Sequence, residues 1–374
     1  MKIDRIELRL LRLPLVRFFE TSFGRVHERP FVLVTVEDDG AIGVGECVAD
    51  AGPYYSSETT RTAWHVIGDV IAPQVLGRTF HHPRDLFDSL KLIRGHNMAK
   101  AAVEMAAWDL AARQQGRPLS ALLGGTRQAI ESGVSIGIQD SLDELVERVE
   151  VERAAGYRRI KIKIKHGWDV EAVERIRDRF GPIPLMVDAN AAYTLADAGH
   201  LASLDRFGLI MIEQPLDYDD LRDHARLQRQ IRTPVCLDES IHSVRAAREA
   251  LELGACRIIN IKPGRVGGHG PSIELHDVAS AAGIPVWHGG MLESGIGRMH
   301  NIHLSTLPNF SLPGDVAASH RYYAPDLIEP EVTVRADGTI PVPTGPGLGV
   351  EIVRDRVEAA TEEIAEWRAV HSAA

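Results

Sequence analysis

RIKIKIKHG, residues 159–167, sets Ile160, Ile162 and Ile164 in strict alternation with Lys161, Lys163 and Lys165. Alternation of this length predicts a strand, because successive side chains leave opposite faces of the pleat. The isoleucines then need an apolar neighbour, and three ammonium groups share the other face. That face is either a solvated edge or the lining of a site. An unpaired buried ammonium is costly, so inward lysines require carboxylates or a function.

The flanking sequence decides between the two. From about residue 130, short β-branched runs alternate with amphipathic helical stretches. Candidate strands are VSIGI (134–138), RIKIKI (159–164), IPLMVDAN (183–190), LIMIEQP (209–215), PVCLDES (234–240), RIINIKP (257–263) and PVWHGG (285–290), with an eighth near 310–316. SLDELVERVEVERAAG and DVEAVERIRDRFG are helix patterns closed by glycine. Repeated strand–helix units imply parallel strands, and eight of them predict an α/β fold of the (β/α)8 TIM-barrel type. Ahead of it, FVLVTVEDDGAIGVGECV (31–48) reads as a hairpin turning at Asp38-Asp39-Gly40, followed by helical patterns at about 58–76 and 97–115. The expected organisation is an α+β domain at 1–127, the barrel at 128–325, and a C-terminal segment at 326–374. That segment ends in an expected helix, RDRVEAATEEIAEWRAV, and returns to the first domain.

Bulk properties narrow the function. The chain has 374 residues, 44% of them hydrophobic, and a formal net charge of -10. This balance argues against nucleic-acid or anionic-membrane partners. Three well-separated cysteines, Cys47, Cys236 and Cys256, suggest no disulfide framework and fit a cytoplasmic setting. The charged, alternating start MKIDRIELRLLRLPL does not read as a signal peptide, and no run reads as a membrane span.

The final polar residues of five successive strands are Lys163, Asp188, Glu213, Asp238 and Lys262, spaced 25, 25, 25 and 24 positions apart. One βα unit separates each from the next, so all five recur at the carboxyl ends of their strands, where barrel active sites are built. Three converging carboxylates repel unless neutralised, and a hard divalent cation does this with oxygen ligands. Mg²⁺ fits best, with Mn²⁺ or another divalent ion as a substitute; Asp188, Glu213 and Asp238 are the candidate ligands. Glu239 leaves its strand on the other side and is placed behind them, one role being a hydrogen bond to a lysine. A Lewis-acidic metal on a substrate carboxylate would stabilise the enediolate formed as the α-proton leaves. Lys161 beside Lys163, with burial, is an arrangement that lowers the pKa of a lysine base. Lysines on opposite sides of the substrate suffice for racemisation; one lysine acting as base and then acid suffices for elimination.

Blander readings stand beside these. Strand-end acids are common helix N-caps. His288 is either a rival base or a packed histidine. GRVGGHG (264–270) lacks the lysine of a phosphate loop and reads as a loop approaching a ligand closely. Arg245 and Arg248 read as a solvated helix face.

The stretches GYRRIKIKIKHGWD, VDAN, IEQPL, CLDES, INIKPGRVGG, GGMLESGIGRMHN and LPNFSLPGD resemble the enolase superfamily over nearly the whole chain. Within its muconate-lactonising subgroup they look like the o-succinylbenzoate synthase / N-acylamino acid racemase family. Lysine or histidine bases working with Mg²⁺ are a known property of this superfamily. The resemblance implies a KxK motif at Lys161 and Lys163, with Lys163 catalytic and Lys262 as the second acid/base or, in dehydration, an electrostatic stabiliser. It implies substrate contacts at Ser135, Asn190 and Gly290–Met291–Leu292, with Phe19 and Tyr322 as further pocket residues. The first domain would cap the barrel mouth, FFETSFG (18–24) and YYSSE (54–58) resembling mobile specificity loops. A small-molecule carboxylate substrate and a homo-oligomer are implied as well.

The implied reactions are dehydration of 2-succinyl-6-hydroxy-2,4-cyclohexadiene-1-carboxylate to o-succinylbenzoate, on the menaquinone route, and racemisation of N-succinylamino acids. Dipeptide epimerases and muconate cycloisomerases of the same subgroup are alternatives, and a non-catalytic small-molecule-binding barrel is a remote third. Dipeptide epimerases resemble a pattern with two acids one position apart after the eighth strand; here Asp315 is followed by Val316 and Ala317. Mandelate-racemase-like members need a His–Asp pair, and Lys262 stands at the sixth-strand position. Lys165-His166, where relatives often carry a proline, and His288 depart from the pattern.

Overall fold

The computed structural model describes residues 1–369. Three antiparallel strands open the chain: β1 (Arg5–Thr21), β2 (Gly24–Asp38) and β3 (Ala41–Cys47). The β2–β3 turn falls where the sequence places it. Asp39 and Gly40 both carry positive φ, 47° and 79°, as a two-residue hairpin of matching twist requires. A helical run over Thr60–Val75, with a π-helical turn at Val66–Ile71, precedes the long helix α1 (Asn97–Gln114). Nearly every side chain of α1 is buried, and its alanines explain how. Gly43 and Gly45 of β3 lie so close that a Cβ would stand 2.2 Å from the carbonyl oxygen of Ala106 and 2.1 Å from that of Ala102. Only hydrogen on one side and methyls on the other allow this approach.

The barrel strands follow in sequence order: β4 (Gly133–Ile136), β5 (Arg159–Lys163), β6 (Leu185–Asp188), β7 (Ile212–Glu213), β8 (Val235–Leu237), β9 (Ile258–Ile261) and β10 (Val286–His288). All pair in parallel. The connecting helices start and stop as their sequences dictate. After β4, α2 (Leu142–Ala154) is capped by Ser141; after β5, α3 (Val170–Phe180) is capped by Asp169 and closed by Gly181 at φ 65°. After β8, α4 (Val244–Leu253) is capped by Ser243 and closed by Gly254 at φ 67°. The helices α5 (His269–Ala281) and α6 (Gly295–Leu304) follow β9 and β10.

The eighth strand expected near 310–316 does not form. Irregular chain closes the barrel there, with single parallel bridges from Phe310 to Val286 and from Gly314 to Ser132. Pro313 removes a ladder donor from the middle of this stretch and Pro308 another just before it, which prevents a continuous strand.

The expected C-terminal helix is also corrected. Only α7 (Arg354–Ala360) is helical; the chain then extends as β11 (Thr361–Arg368) and pairs antiparallel with β1, while Val370 of that stretch lies outside the described residues. The sheet order is β11-β1-β2-β3. The unpaired edge of β1 outweighs helical propensity, and Arg5–Glu366 (3.1 Å) and Arg12–Glu362 (2.6 Å) ion pairs fix the register. Trp367 packs over Gly68, where a Cβ would come within 2.5 Å of the indole.

Alternation in β5 resolves as the opening stretch requires. Ile160, Ile162 and Ile164 are buried in the layer between strands and helices. Lys161 and Lys163 are buried on the lumen side. Lys165 lies beyond the strand end and pairs instead with Glu20 of the β1–β2 hairpin at 3.2 Å. Deeper in the lumen, Met186, Met211, Cys236, Ile258 and Trp287 form an apolar plug. The first three stand two positions before Asp188, Glu213 and Asp238, so one strand face supplies an apolar floor and a charged rim.

Candidate active site

The five equally spaced residues converge at the carboxyl ends of β5 to β9. Lys163 Nζ donates to Asp188 Oδ2 and Asn190 Oδ1, both at 2.6 Å. Lys161 Nζ lies 2.9 Å from Glu213 Oε2 and 3.1 Å from Asp188 Oδ2. Lys262 Nζ donates to Asp238 Oδ2 at 2.7 Å. Asp188, Glu213 and Asp238 have no solvent exposure. Among the described residues no group of three or more His, Cys, Asp or Glu side chains is arranged to hold a metal ion. Here ammonium and guanidinium groups take the carboxylate oxygens instead.

The electrostatics follow from burial and neighbours. Burial, followed by the Lys161 charge, pulls Lys163 below the ordinary lysine range despite Asp188. Burial opposes the charge on Lys161, but Asp315, Glu213 and Asp188 together raise its pKa. Lys262 is also raised, Tyr55 and the carboxylates outweighing burial. Burial and the charge of Asp188 raise Glu213, while Lys163 and Lys161 hold Asp188 low against burial. The two candidate bases thus shift in opposite directions, Lys163 downward and Lys262 upward.

The backbone is strained beside these groups. Asn190, two positions beyond Asp188, and Gln214, next after Glu213, have φ of 42° and 36°, and Leu292 has 57°. Non-glycine residues hold such values only where surroundings over-determine them. Asn190 N donates to Asp188 Oδ1 at 3.0 Å and its amide to Glu239 Oε1 at 2.9 Å. Glu239 therefore reaches Lys163 through Asn190 rather than bonding a lysine directly.

A cavity of about 230 Å³ opens over the lysines, lined by Phe19, Lys163, Asn190, Lys262, Gly290, Met291 and Leu292 among others. The FFETSFG segment is the tip of the β1–β2 hairpin, bent across the mouth. Ile138 N donates to Glu20 O at 3.0 Å and Ser22 Oγ to Asn190 O at 3.2 Å. Ser135 and Tyr322 are not part of the cavity lining; Ser135 is buried with an unpartnered hydroxyl and Tyr322 meets Phe19 edge-on at 6.5 Å. His288 is fully buried, stacks on Phe310 and is pushed by burial to about 3, so it packs rather than titrates.

Several contacts lie outside the sequence reading. Tyr55 OH donates to Asp238 Oδ1 at 3.0 Å and lies under Lys262, whose Nζ is 4.6 Å from the ring centroid. Arg265 bonds Asp238, and Asn260 donates to Glu213 Oε1 at 2.6 Å. Asn260 and Arg159 were detectable, because each continues the inward alternation two positions before a site lysine. Arg265 sits in the GRVGGHG stretch expected as a loop near a ligand, on a helical turn at Pro263–Val266, and nothing in its spacing marks it.

An open-mouthed parallel barrel with paired lysines and acids on its rim, lidded by an antiparallel hairpin, defines an enzyme that moves protons at a buried carboxylate. The Mandelate racemase / muconate lactonizing enzyme N-terminal domain matches residues 5–124, and the Enolase C-terminal domain-like family matches residues 144–356. The chain belongs to this enolase-superfamily group, whose members typically bind a divalent metal. It is 53% identical over 361 residues to the o-succinylbenzoate synthase of Geobacillus kaustophilus, covering 96% of each chain. It is 49% identical to the N-succinylamino acid racemase of Thermus thermophilus, covering 96% of this chain and 98% of that one. A solved enolase-superfamily structure from Listeria innocua superposes with a TM-score of 0.95 at 37% identity, covering 99% of this chain and all of the other.

Proposed function

We propose that this enzyme abstracts the α-proton of a small carboxylate, acting as an o-succinylbenzoate synthase, an N-succinylamino acid racemase, or both on one site. The observation that carries the reading is the pairing of two buried lysines, Lys163 and Lys262, on one cavity, each held by a different carboxylate. They stand on the second and sixth barrel strands, half a turn apart.

Asp188, Glu213 and Asp238 are the ligands for a divalent ion, Mg²⁺ in preference to Mn²⁺. Three buried, acceptor-only side chains neutralised by cations fit a hard metal. When bound, the ion supplies Lewis-acid stabilisation of the negative charge that develops on the substrate carboxylate.

Lys163, neutral, takes the α-proton from one face. In racemisation the Lys262 ammonium delivers a proton to the opposite face, and reversal exchanges the roles. In dehydration Lys163 returns a proton to the departing hydroxyl, water leaves, and Lys262 remains an ammonium beside the enediolate. Lys161 stays charged beneath Lys163, favouring its neutral form. Asn190 holds Lys163, and Glu239 holds Asn190. Gly290, Met291 and Leu292 bound the substrate cavity together with Phe19, and Tyr322 backs Phe19 from outside the lining. The hairpin tip excludes water. A dipeptide epimerase role is disfavoured because Asp315 is buried and already paired.

A cytosolic setting and a homo-oligomer belong to the same reading; all three cysteines are buried free thiols, and no helix of the described residues is long and apolar enough to cross a membrane. The test is incubation of the full chain with Mg²⁺ in D₂O, once with an N-succinylamino acid and once with the cyclohexadiene carboxylate. Loss of the α-hydrogen signal in the first, or aromatic absorbance in the second, supports the reading. Neither exchange nor dehydration leaves a binding protein and sinks it.

A further inference from the structure

One counter-ion of Lys161 has no role in the chemistry above. Asp315 lies on the irregular stretch that replaces the eighth strand, and its Oδ2 is 2.5 Å from Lys161 Nζ. Its other oxygen accepts from Arg159 Nη1 at 2.7 Å. Arg159 is itself fixed: it donates to Pro313 O at 2.9 Å and its guanidinium lies 4.8 Å from the Trp287 ring centroid. Gly133 makes room for it, since a Cβ there would stand 2.6 Å from Arg159 Cζ. Asp315 is therefore held from behind, facing the KxK strand.

The remaining partners of Lys161 are Glu213 Oε2 and Asp188 Oδ2, at 2.9 and 3.1 Å, and the second of these oxygens also takes Lys163 at 2.6 Å. Lys161 thus competes for two of the three carboxylates; among the described residues Asp315 is its one carboxylate partner outside that trio, and its ammonium also lies 5.0 Å from the Trp287 ring centroid. Coulomb attraction scales inversely with distance, so Asp315 is the strongest single pull on Lys161 and offsets part of the combined pull of the other two acids. We infer that Asp315 is a positioning residue: seated by Arg159, it draws the Lys161 ammonium toward the barrel's closing segment and keeps Asp188 and Glu213 accessible to a divalent cation and to Lys163. Without it, Lys161 settles on those acids and the cation must displace it.

This rests on the metal assignment proposed above, and the test separates the two. Mg²⁺ binding to the full chain is measured by titration calorimetry for wild type, Asp315→Asn, Lys161→Met and the double variant. Asp315→Asn weakens Mg²⁺ binding by about tenfold or more in the wild-type background and by less than about threefold in the Lys161→Met background, the non-additivity expected of a residue acting through another. Asp315→Glu, which keeps the charge, recovers most of the affinity. Should Asp315→Asn fail to fold, Arg159→Met carries the same comparison, because it unseats Asp315. Unchanged affinity in Asp315→Asn, or an equal loss with and without Lys161, overturns the inference while the metal site stands. A wild-type chain that binds no Mg²⁺ overturns the metal assignment, and the inference with it.

Discussion

Lys163 and Lys262 donate to different carboxylates, Asp188 at 2.6 Å and Asp238 at 2.7 Å, from strands half a barrel apart. Two-faced proton transfer requires both. Lys163→Ala and Lys262→Ala should each lower racemisation by about 10²–10⁴-fold, the usual worth of a positioned acid or base. Calorimetry should still find Mg²⁺ binding, because the three acids remain. Near-normal racemisation by Lys262→Ala would show that the second face is served by another group.

Chelation tests the acidic trio. Dialysis against EDTA should abolish turnover, and Mg²⁺ or Mn²⁺ should restore it. A ligand bound only by the folded state also stabilises it, by about 2.7 kcal/mol at one hundred times its dissociation constant. Melting should therefore shift upward with Mg²⁺ in the wild type and not in Asp238→Asn. Full activity in EDTA would remove the ion from the mechanism.

Most of this architecture is legible along the chain because period-two alternation and the βα repeat are local signals. The rim of Lys163, Asp188, Glu213, Asp238 and Lys262 emerges from spacing alone. Other features depend on partners distant in sequence. Thr361–Arg368 is a strand because β1 offers an edge, although its own three glutamates and Ala365 read as helix. Residues 310–316 close the barrel through single bridges rather than a continuous ladder because Pro313 interrupts them. Asp315, on irregular chain, and Arg265, on the helical turn Pro263–Val266, carry no local signal until the fold brings them against Lys161 and Asp238.

Glu46 gives a pH dependence of stability. It is buried where β3 meets α6, accepting from Ser294 and from Gly297 N at 3.1 Å. Burial, reinforced by the charge of Glu293, raises it from 4.5 to about 7. The folded state therefore holds this proton more tightly than the unfolded chain. Its stabilising contribution is complete below about pH 4.5 and is lost as pH rises through 7, a change of order 3 kcal/mol. Urea midpoints of wild type should fall relative to those of Glu46→Gln between pH 5 and 7.5. Parallel pH profiles would show that Glu46 titrates normally.

Gly45 carries the tightest contact between the capping sheet and α1. A Cβ there would meet the Ala102 carbonyl oxygen at 2.1 Å and the Ala106 nitrogen at 2.9 Å, both backbone atoms that cannot swing aside. Relief requires the helix to move off the sheet, opening the core behind it. Gly45→Ala should therefore destabilise by about 2 kcal/mol or more, as overpacking a rigid interior does. Gly24, on the hairpin turn, is the control, since a Cβ there meets nothing within 4 Å. Gly24→Ala should stay within about 0.5 kcal/mol of wild type, as surface substitutions usually do. Urea unfolding of both variants compares them directly. Equal midpoints would mean that α1 and β3 separate at little cost, and that the alanine-rich face of the helix is not what fixes the cap.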